Sequence, residues 1–129
     1  MSESLNSVNA SSLKGQKGPV RILRATGYSM RGLRVAFLKE AAFRQLVLIN
    51  VVLQPIAFFL DVTRVERAIL VLVPLLSLAI ELLNTAIENA VDRISLDLHP
   101  LSRDAKDMGS AAQFIGLVMI VVAWLVVLI

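Results

Sequence analysis

The sequence contains no cysteine, so neither disulfide bonds nor thiolate metal sites are available to this chain. Aromatic residues make up only 5% of it and are not interleaved with basic residues, which argues against binding to DNA or RNA. Charged residues are scarce at 18%, whereas 57% of the residues are hydrophobic and the mean hydropathy is +0.74. A soluble domain carries more charge than this. The composition therefore predicts an integral membrane protein.

Three hydrophobic segments are long enough to cross a bilayer, for which about 20 residues suffice. They comprise residues 41–60, 68–91 and 110–129. The first segment is interrupted by Asn50 and Gln54, which share one helix face, so we expect both side chains to hydrogen-bond to another helix. In the third segment, Trp124 is expected to anchor the helix at the membrane interface.

The N-terminal region divides into two parts. Residues 1–19 are rich in Ser and Asn without a hydrophobic period, and predict a disordered tail. Residues 20–39 predict a basic amphipathic helix lying on the membrane surface, started by Pro19. Its apolar face holds Ile22, Leu23, Met30, Leu33, Ala36 and Phe37, and its basic face holds Arg21, Arg24, Arg31, Arg34 and Lys39. The fold class is thus an all-α membrane protein with one domain, residues 20–129.

The basic residues predict the orientation in the membrane. Eight of the thirteen Lys and Arg residues precede Leu46, and three more lie between the second and third segments. By the positive-inside rule, the N-terminus and the connection 92–109 are cytoplasmic. The short loop 61–67 and the C-terminus then face the opposite side. The basic N-terminal part also suits an anionic membrane surface.

A row of polar residues runs along the second segment, where a membrane span ordinarily has none. Glu81, Asn84, Thr85, Glu88 and Asp92 follow one another at helical spacing and therefore share one face. Ionisable groups inside a membrane are costly, so such a row indicates a functional site. Glu81 and Asn84 could instead serve only to join helices, and Asp92 is expected to cap the helix outside the membrane.

The chemistry of these groups favours phosphoryl transfer to an alcohol at the membrane surface. Glu40 and Glu88 lie near the cytoplasmic interface and suit Mg²⁺, which binds carboxylates together with nucleotide phosphates. Arg21 and Lys106 suit the phosphates themselves. Glu81 lies about two helical turns deeper than Glu88, where a desolvated carboxylate could accept the proton of a hydroxyl. Catalysis of this kind is mostly positioning and charge neutralisation.

Four motifs resemble those of the small integral membrane diacylglycerol kinases of bacteria. They read GYSMRGLR, KEAAFRQ, ELLNTAIENAVDR and RDAKDMGSA, and the resemblance extends over residues 20–129. It implies a homotrimer of three-span subunits in the bacterial inner membrane, with composite active sites between neighbouring subunits. It also implies transfer of the γ-phosphate of MgATP to diacylglycerol, giving phosphatidic acid.

The resemblance further implies roles for individual residues. Glu81 matches the general base, and Glu40 and Glu88 match metal ligands. The positions that match nucleotide contacts are Arg21, Tyr28, Asp97, His99, Lys106 and Asp107. Those that match the surroundings of the lipid substrate are Arg21, Arg44, Asn84 and Ser110.

Three alternatives remain open at the level of sequence. The related undecaprenol kinases perform the same chemistry on a polyprenol and share ELLNTAIE and the Lys-Asp pair. A small proton-coupled transporter could use Glu81 as its membrane-embedded carboxylate, which leaves Glu40, Lys106 and Asp107 without a role. A non-catalytic assembly protein could use the polar row only to specify helix packing.

Overall fold

The computed structural model describes residues 18–129, so residues 1–17 of the predicted tail lie outside the described residues. Four helices follow one another: α1 (Pro19–Lys39), α2 (Ala41–Phe59), α3 (Arg64–Ile94) and α4 (Pro100–Leu128). No strand occurs among residues 18–129. Helices α2, α3 and α4 are each long and apolar enough to cross a membrane. The all-helical fold with three candidate membrane-spanning helices is therefore confirmed.

Helix α1 begins at Pro19, as its missing N–H and fixed φ favour for a first helical residue. The preceding Gly18 has a φ of 73°, which glycine adopts without steric cost. Within the helix, the hydroxyls of Thr26 and Ser29 each donate to the carbonyl four residues earlier, at 2.9 Å. These small polar residues are thereby satisfied by the helix itself.

A single residue separates α1 from α2. Glu40 adopts an extended conformation, with φ −114° and ψ 111°, and so ends one helix and precedes the next. Arg44, one turn into α2, donates from Nη1 to the carbonyl oxygen of Phe37 at 2.8 Å. That carbonyl belongs to the last turn of α1, where carbonyl groups lack partners within the helix. The junction is therefore held by an arginine from the following helix.

Helix α3 is the central element of the membrane bundle. It packs against both α2 and α4, whereas α2 and α4 make no contact with each other within residues 41–128. Buried residues recur at steps of three and four along each helix, which is the spacing of one helix face. They are Phe43, Leu46, Asn50 and Ala57 on α2, Leu70, Pro74, Ser77, Glu81, Asn84 and Thr85 on α3, and Gly109, Gln113, Gly116 and Ile120 on α4.

The polar residues of α2 join that helix to α3, as the sequence predicts. Asn50 donates from Nδ2 to the Pro74 carbonyl at 3.2 Å, and Gln54 donates from Nε2 to the Val71 carbonyl at 3.0 Å. Gln54 also donates to Asn50 Oδ1 at 3.0 Å. In lipid no water can satisfy these groups, so hydrogen bonds to α3 stabilise the pairing of the two helices.

Two sets of side-chain hydrogen bonds stabilise the turn between α2 and α3. Thr63 and Glu66 form a reciprocal capping box at the start of α3, with distances of 3.1 and 3.2 Å. Arg67 donates from Nη1 to the carbonyls of Ala57 and Phe58 at 2.6 and 2.8 Å. It thereby satisfies two of the free carbonyls at the end of α2.

The helices extend beyond the predicted spans at three points. Helix α3 begins at Arg64 and ends at Ile94, whereas the predicted span covers residues 68–91. Helix α4 begins at Pro100, so the connection predicted for residues 92–109 shortens to five residues, 95–99. The helices are longer than the hydrophobic segments because helical hydrogen bonding continues through charged turns. Hydropathy marks only where the apolar segment ends, not where the helix ends.

Trp124 differs from its prediction as an interface anchor. The residue is half-buried, and its indole Nε1 is shielded and has no hydrogen-bond partner among residues 18–129. An anchoring tryptophan presents this N–H to the headgroup region. In this position the indole nitrogen instead faces the protein.

Candidate functional site

The polar row of α3 changes in burial along its length. Glu81, Asn84 and Thr85 are buried, with exposed fractions of 5%, 9% and 8%. Glu88 is half-buried, and Asp92 is exposed. Glu81 therefore lies inside the bundle, whereas the row opens outwards at its C-terminal end. The exposure of the polar side chains therefore increases along one face of α3, from Glu81 inside the bundle to Asp92 at the surface.

Two further carboxylates, from two parts of the chain, lie near enough to Glu81 to act on it electrostatically. The charge of Glu88 acts on Glu81, and that of Glu40 acts on it more weakly. Glu40 reaches this neighbourhood because it occupies the junction between α1 and α2, and like Glu88 it is half-buried. The two residues predicted as metal ligands are thus both neighbours of the predicted base.

The donor set fits Mg²⁺ held jointly by protein and phosphate. Within residues 18–129, no group of three or more His, Asp or Glu side chains converges in a way that could hold a metal ion. Mg²⁺ does not require such a group, since it is commonly bound by one or two carboxylates plus phosphate oxygens and water. Glu40 and Glu88 together would provide that number of ligands.

Two side-chain amides border the carboxylate of Glu81. They belong to Asn84, one turn along α3, and to Gln113 on α4. Gln113 is buried and also bonds to Ser77, whose hydroxyl donates to Gln113 Oε1 at 3.3 Å. Gln113 and Ser77 are not among the site residues that the sequence predicts. Gln113 lies four residues after Gly109 on α4, and Ser77 lies four residues before Glu81 on α3. Both are therefore on the packed helix faces.

Asn84 is packed directly against Gly109 of α4. A Cβ atom at Gly109 would overlap Asn84 Oδ1 and approach its Cγ to 3.3 Å. The same Oδ1 atom is buried and has no hydrogen-bond partner within the described part of the chain. A buried acceptor without a partner is costly, and such groups are concentrated at functional sites. Asn84 was predicted to lie near the lipid substrate.

A cavity of about 390 Å³ lies where α3 ends and α4 begins. Three of the residues predicted to contact the nucleotide line it, namely Asp97, His99 and Lys106. Asp92 and Arg103 also line it, and neither was predicted to do so. Asp107, the other member of the Lys-Asp pair, is exposed and does not line the cavity. The five-residue turn therefore gathers charged groups of both signs around one space.

Lys106 forms an ion pair with Asp92, with 2.6 Å between Nζ and Oδ1. Asp92 was expected to cap the helix outside the membrane, but α3 continues to Ile94 and its C-cap residue is Ser95. Both side chains are a little over 40% exposed, so water screens their attraction. The pair places the ammonium group of Lys106 beside the cavity.

His99 has a structural task at the start of α4. Its Nδ1 accepts a hydrogen bond from the Leu101 N–H at 3.1 Å, so the imidazole serves as the N-cap. Asp97 N–H donates to Ser95 Oγ at 3.0 Å, which tightens the same turn. These two bonds fix the backbone around the cavity and leave Nε2 of His99 for another partner.

The remaining predicted residues are distributed over other elements. Arg21 and Tyr28 are seven residues apart on α1 and so share one helix face. Arg44 is exposed at the start of α2, and Ser110 is exposed on α4 next to the buried Gly109. The guanidinium of Arg44 is partly engaged by the Phe37 carbonyl. Roles for these four residues stay predictions.

A family model for prokaryotic diacylglycerol kinase matches residues 27–128. The chain is 61% identical to a diacylglycerol kinase of Pseudomonas aeruginosa over 121 residues, covering 94% of this chain and 98% of that protein. It is 47% identical to a diacylglycerol kinase of Escherichia coli strain K12 over 114 residues, covering 86% and 91% respectively. A diacylglycerol kinase of Haemophilus influenzae is 42% identical over 107 residues, covering 83% and 91%.

Proposed function

Because the chain belongs to the prokaryotic diacylglycerol kinase family, we propose that it transfers the γ-phosphate of MgATP to diacylglycerol, giving phosphatidic acid. Kinase activity and a multi-pass membrane location follow from the family and from the three apolar helices. We propose ATP as the phosphate donor, Mg²⁺ as the metal and the residues named below as the site. The observation that carries the proposal is the buried carboxylate of Glu81, which shares one face of α3 with Glu88.

In the proposed reaction, Glu81 accepts the proton of the lipid hydroxyl as the hydroxyl oxygen attacks the γ-phosphorus. The bond between the γ-phosphorus and the bridging oxygen breaks, and ADP leaves. Lys106 and Arg21 neutralise charge on the phosphates. Glu40 and Glu88 would hold Mg²⁺, which supplies further neutralisation of the phosphate charge when it is bound.

The cavity at the α3–α4 turn supports a nucleotide site at the cytoplasmic end. Asp97, His99 and Lys106 line it, and Asp107 follows directly in sequence. Tyr28 and Arg21 on α1 complete the proposed set of nucleotide contacts. The lipid is proposed to meet Asn84, Arg44, Ser110 and Arg21, so that its hydroxyl reaches Glu81 from the membrane.

We also propose a homotrimer with active sites shared between neighbouring subunits. Support comes from the face of α3 opposite its packed face, where exposed Leu and Ala residues recur at steps of four and three. They are Leu72, Leu76, Ala79, Leu83, Ala86 and Ala90. Such a repeat is typical of helices that pair along a seam, and small residues let helices approach closely in membranes. The number three rests on the family resemblance.

The proposed location is the bacterial inner membrane, with the N-terminus in the cytoplasm. The basic N-terminal region and the basic residues of the α3–α4 turn support this orientation by the positive-inside rule. Helix α1 is proposed to lie on the membrane surface, because its basic and apolar residues occupy separate faces. This orientation gives the nucleotide-facing end access to cellular ATP.

A substrate competition assay tests the proposal. The purified protein is supplied with radiolabelled ATP, Mg²⁺ and equal amounts of diacylglycerol and undecaprenol in mixed micelles. We expect the label to appear in phosphatidic acid and to depend on Mg²⁺. Label in undecaprenyl phosphate would instead assign the polyprenol as substrate, and label in neither lipid would favour a transporter or an assembly protein.

A further inference from the structure

The buried polar groups around Glu81 include one from α4 that the proposed reaction does not use. Gln113 is 9% exposed and lies among the apolar residues of a membrane helix. A buried amide in a membrane span carries a cost unless it is hydrogen-bonded, so its presence indicates a function in packing or at a site. The contacts of Gln113 distinguish these two roles.

Gln113 is held by two hydrogen bonds to one residue. The Ser77 hydroxyl donates to Gln113 Oε1 at 3.3 Å, and Gln113 Nε2 donates to the Ser77 carbonyl oxygen at 3.4 Å. A carbonyl oxygen can only accept, so it requires the nitrogen of the amide at its side. Ser77 thereby fixes both the position and the orientation of the Gln113 side chain.

The NH₂ group of Gln113 has a second hydrogen that Ser77 does not take. Glu81 lies one helical turn beyond Ser77 on the same buried face of α3, which packs against α4. The Gln113 amide therefore has its oxygen and one hydrogen bonded to Ser77, and its second hydrogen is available to the carboxylate one turn further along. A packing residue would need only the first of these contacts.

The backbone of α4 leaves room for this arrangement at Gly116. A Cβ atom at that position would lie 2.8 Å from Gln113 Oε1, which is too close for an undisturbed contact. It would also touch Ser77 Oγ at 3.4 Å. Glycine at position 116 thus allows the bond between Ser77 and Gln113 to form one turn away.

We infer that Gln113 is a positioning residue for Glu81, held in place by Ser77 and admitted by Gly116. The amide keeps the carboxylate pointing towards the path of the lipid hydroxyl. This inference rests on the proposed role of Glu81 as the base. Misplacement of a catalytic group by about 1 Å can cost up to about 100-fold in rate, so a modest shift of the carboxylate is measurable.

The test compares Gln113→Met with a matched control, Gln54→Met. Both changes replace an amide that is at least partly buried between helices, but Gln54 bonds to Asn50 and the Val71 carbonyl, away from Glu81. We expect Gln113→Met to lower kcat about 10-fold while KM for both substrates stays within about 2-fold. Gln54→Met should lower the thermal midpoint in detergent and leave kcat of the folded protein unchanged.

Two milder changes guard against loss of folding. Ser77→Ala removes the hydroxyl that bonds to Gln113, and Gly116→Ala displaces the Gln113 amide without removing it. Both changes should lower kcat, as Gln113→Met does. Ser77→Ala combined with Gln113→Met should cost no more than Gln113→Met alone, because the two residues act through one contact. Additive losses would overturn the inference, as would a Gln113→Met protein with the parent kcat.

The role of Glu81 is checked separately in the same assay. If Glu81→Gln is inactive while Gln113→Met keeps the parent kcat, the positioning role is wrong and the base assignment stands. If Glu81→Gln itself turns over at the parent rate, the base assignment fails, whatever Gln113→Met does. Failure of the positioning role and failure of the base assignment therefore give different combinations of kcat for Gln113→Met and Glu81→Gln.

Discussion

The contact between Asn84 and Gly109 explains why single residues in this bundle have little freedom to change. A Cβ atom at position 109 would overlap Oδ1 of the Asn84 side chain, so a larger residue there requires that side chain to shift. The buried Oδ1 of Asn84 gains no hydrogen bond from this contact within residues 18–129. The position of the Asn84 side chain is therefore set by its packing against Gly109.

Gly109→Ala should disturb Asn84 and reduce activity. The added methyl group overlaps the Asn84 side chain, and overpacking of this kind costs about 1–3 kcal/mol. We expect kinase activity to fall at least about 10-fold, together with a lower thermal midpoint. Gly32→Ala is the matched control, because a Cβ there meets nothing within 4 Å among the described residues. Equal behaviour of the two variants would contradict the role of the close contact.

Lys106→Met should weaken binding of ATP without unfolding the protein. The ion pair with Asp92 is partly exposed and contributes under about 1 kcal/mol to stability, so the thermal midpoint should hardly move. Loss of the ammonium group should raise KM for ATP about 10-fold. Lys39→Met, an exposed change on α1, serves as the control. An unchanged KM in Lys106→Met would remove Lys106 from the nucleotide site.

The residues that sequence could identify are those whose chemistry conflicts with their surroundings. Glu81 and Asn84 were evident because a carboxylate and an amide stand within an apolar segment. Gln113 and Ser77 were not, because their significance lies in a hydrogen bond that joins residues 36 positions apart. The ion pair between Asp92 and Lys106 was likewise invisible, since it depends on how tightly the α3–α4 turn closes.

At the scale of helices, hydropathy predicted which segments cross the membrane but not where the helices end. The ends are determined by caps: Thr63 with Glu66 at the start of α3, and His99 at the start of α4. Both lie in charged stretches that hydropathy assigns to loops. The capping box has a recognisable spacing in sequence, whereas the use of a histidine nitrogen as a cap becomes evident only in the folded chain.

Arg67→Lys should loosen the turn between α2 and α3. The guanidinium reaches two carbonyls of α2 at once, and an ammonium group lacks the planar fork needed for this geometry. We expect a loss of about 1–3 kcal/mol in the free energy of unfolding, measured by denaturation in mixed micelles. Arg64→Lys, at an exposed position in the same helix, should change it by less than about 0.5 kcal/mol. A smaller loss for Arg67→Lys than for Arg64→Lys would contradict the capping role.

At the scale of the whole molecule, α3 has two faces with different tasks. One face carries the polar row and packs against α2 and α4. The opposite face exposes a regular series of Leu and Ala residues, which matches the proposed contact between subunits. Sequence periodicity placed the polar row on one face and apolar residues opposite it, but it did not show which face packs within the chain.

Ala86→Cys should form covalent dimers under mild oxidation in the membrane. The natural chain has no cysteine, so the single introduced thiol can pair only with that of another copy. A disulfide requires Cα atoms within about 7 Å, which holds only if the Leu and Ala faces of two α3 helices meet. Val118→Cys, on the exposed face of α4 opposite its packed residues, is the control. Cross-linking of Val118→Cys but not of Ala86→Cys would place the subunit contact elsewhere.

In the proposed mechanism, a carboxylate buried in the membrane activates a lipid hydroxyl for attack on ATP. Transfer of radiolabelled phosphate to diacylglycerol by the parent protein and by Glu81→Gln tests this most directly. Glutamine keeps the shape of the side chain but cannot accept the proton, so Glu81→Gln should lose at least about 100-fold in kcat while remaining assembled and binding ATP. Turnover by Glu81→Gln at the parent rate would exclude Glu81 as the base.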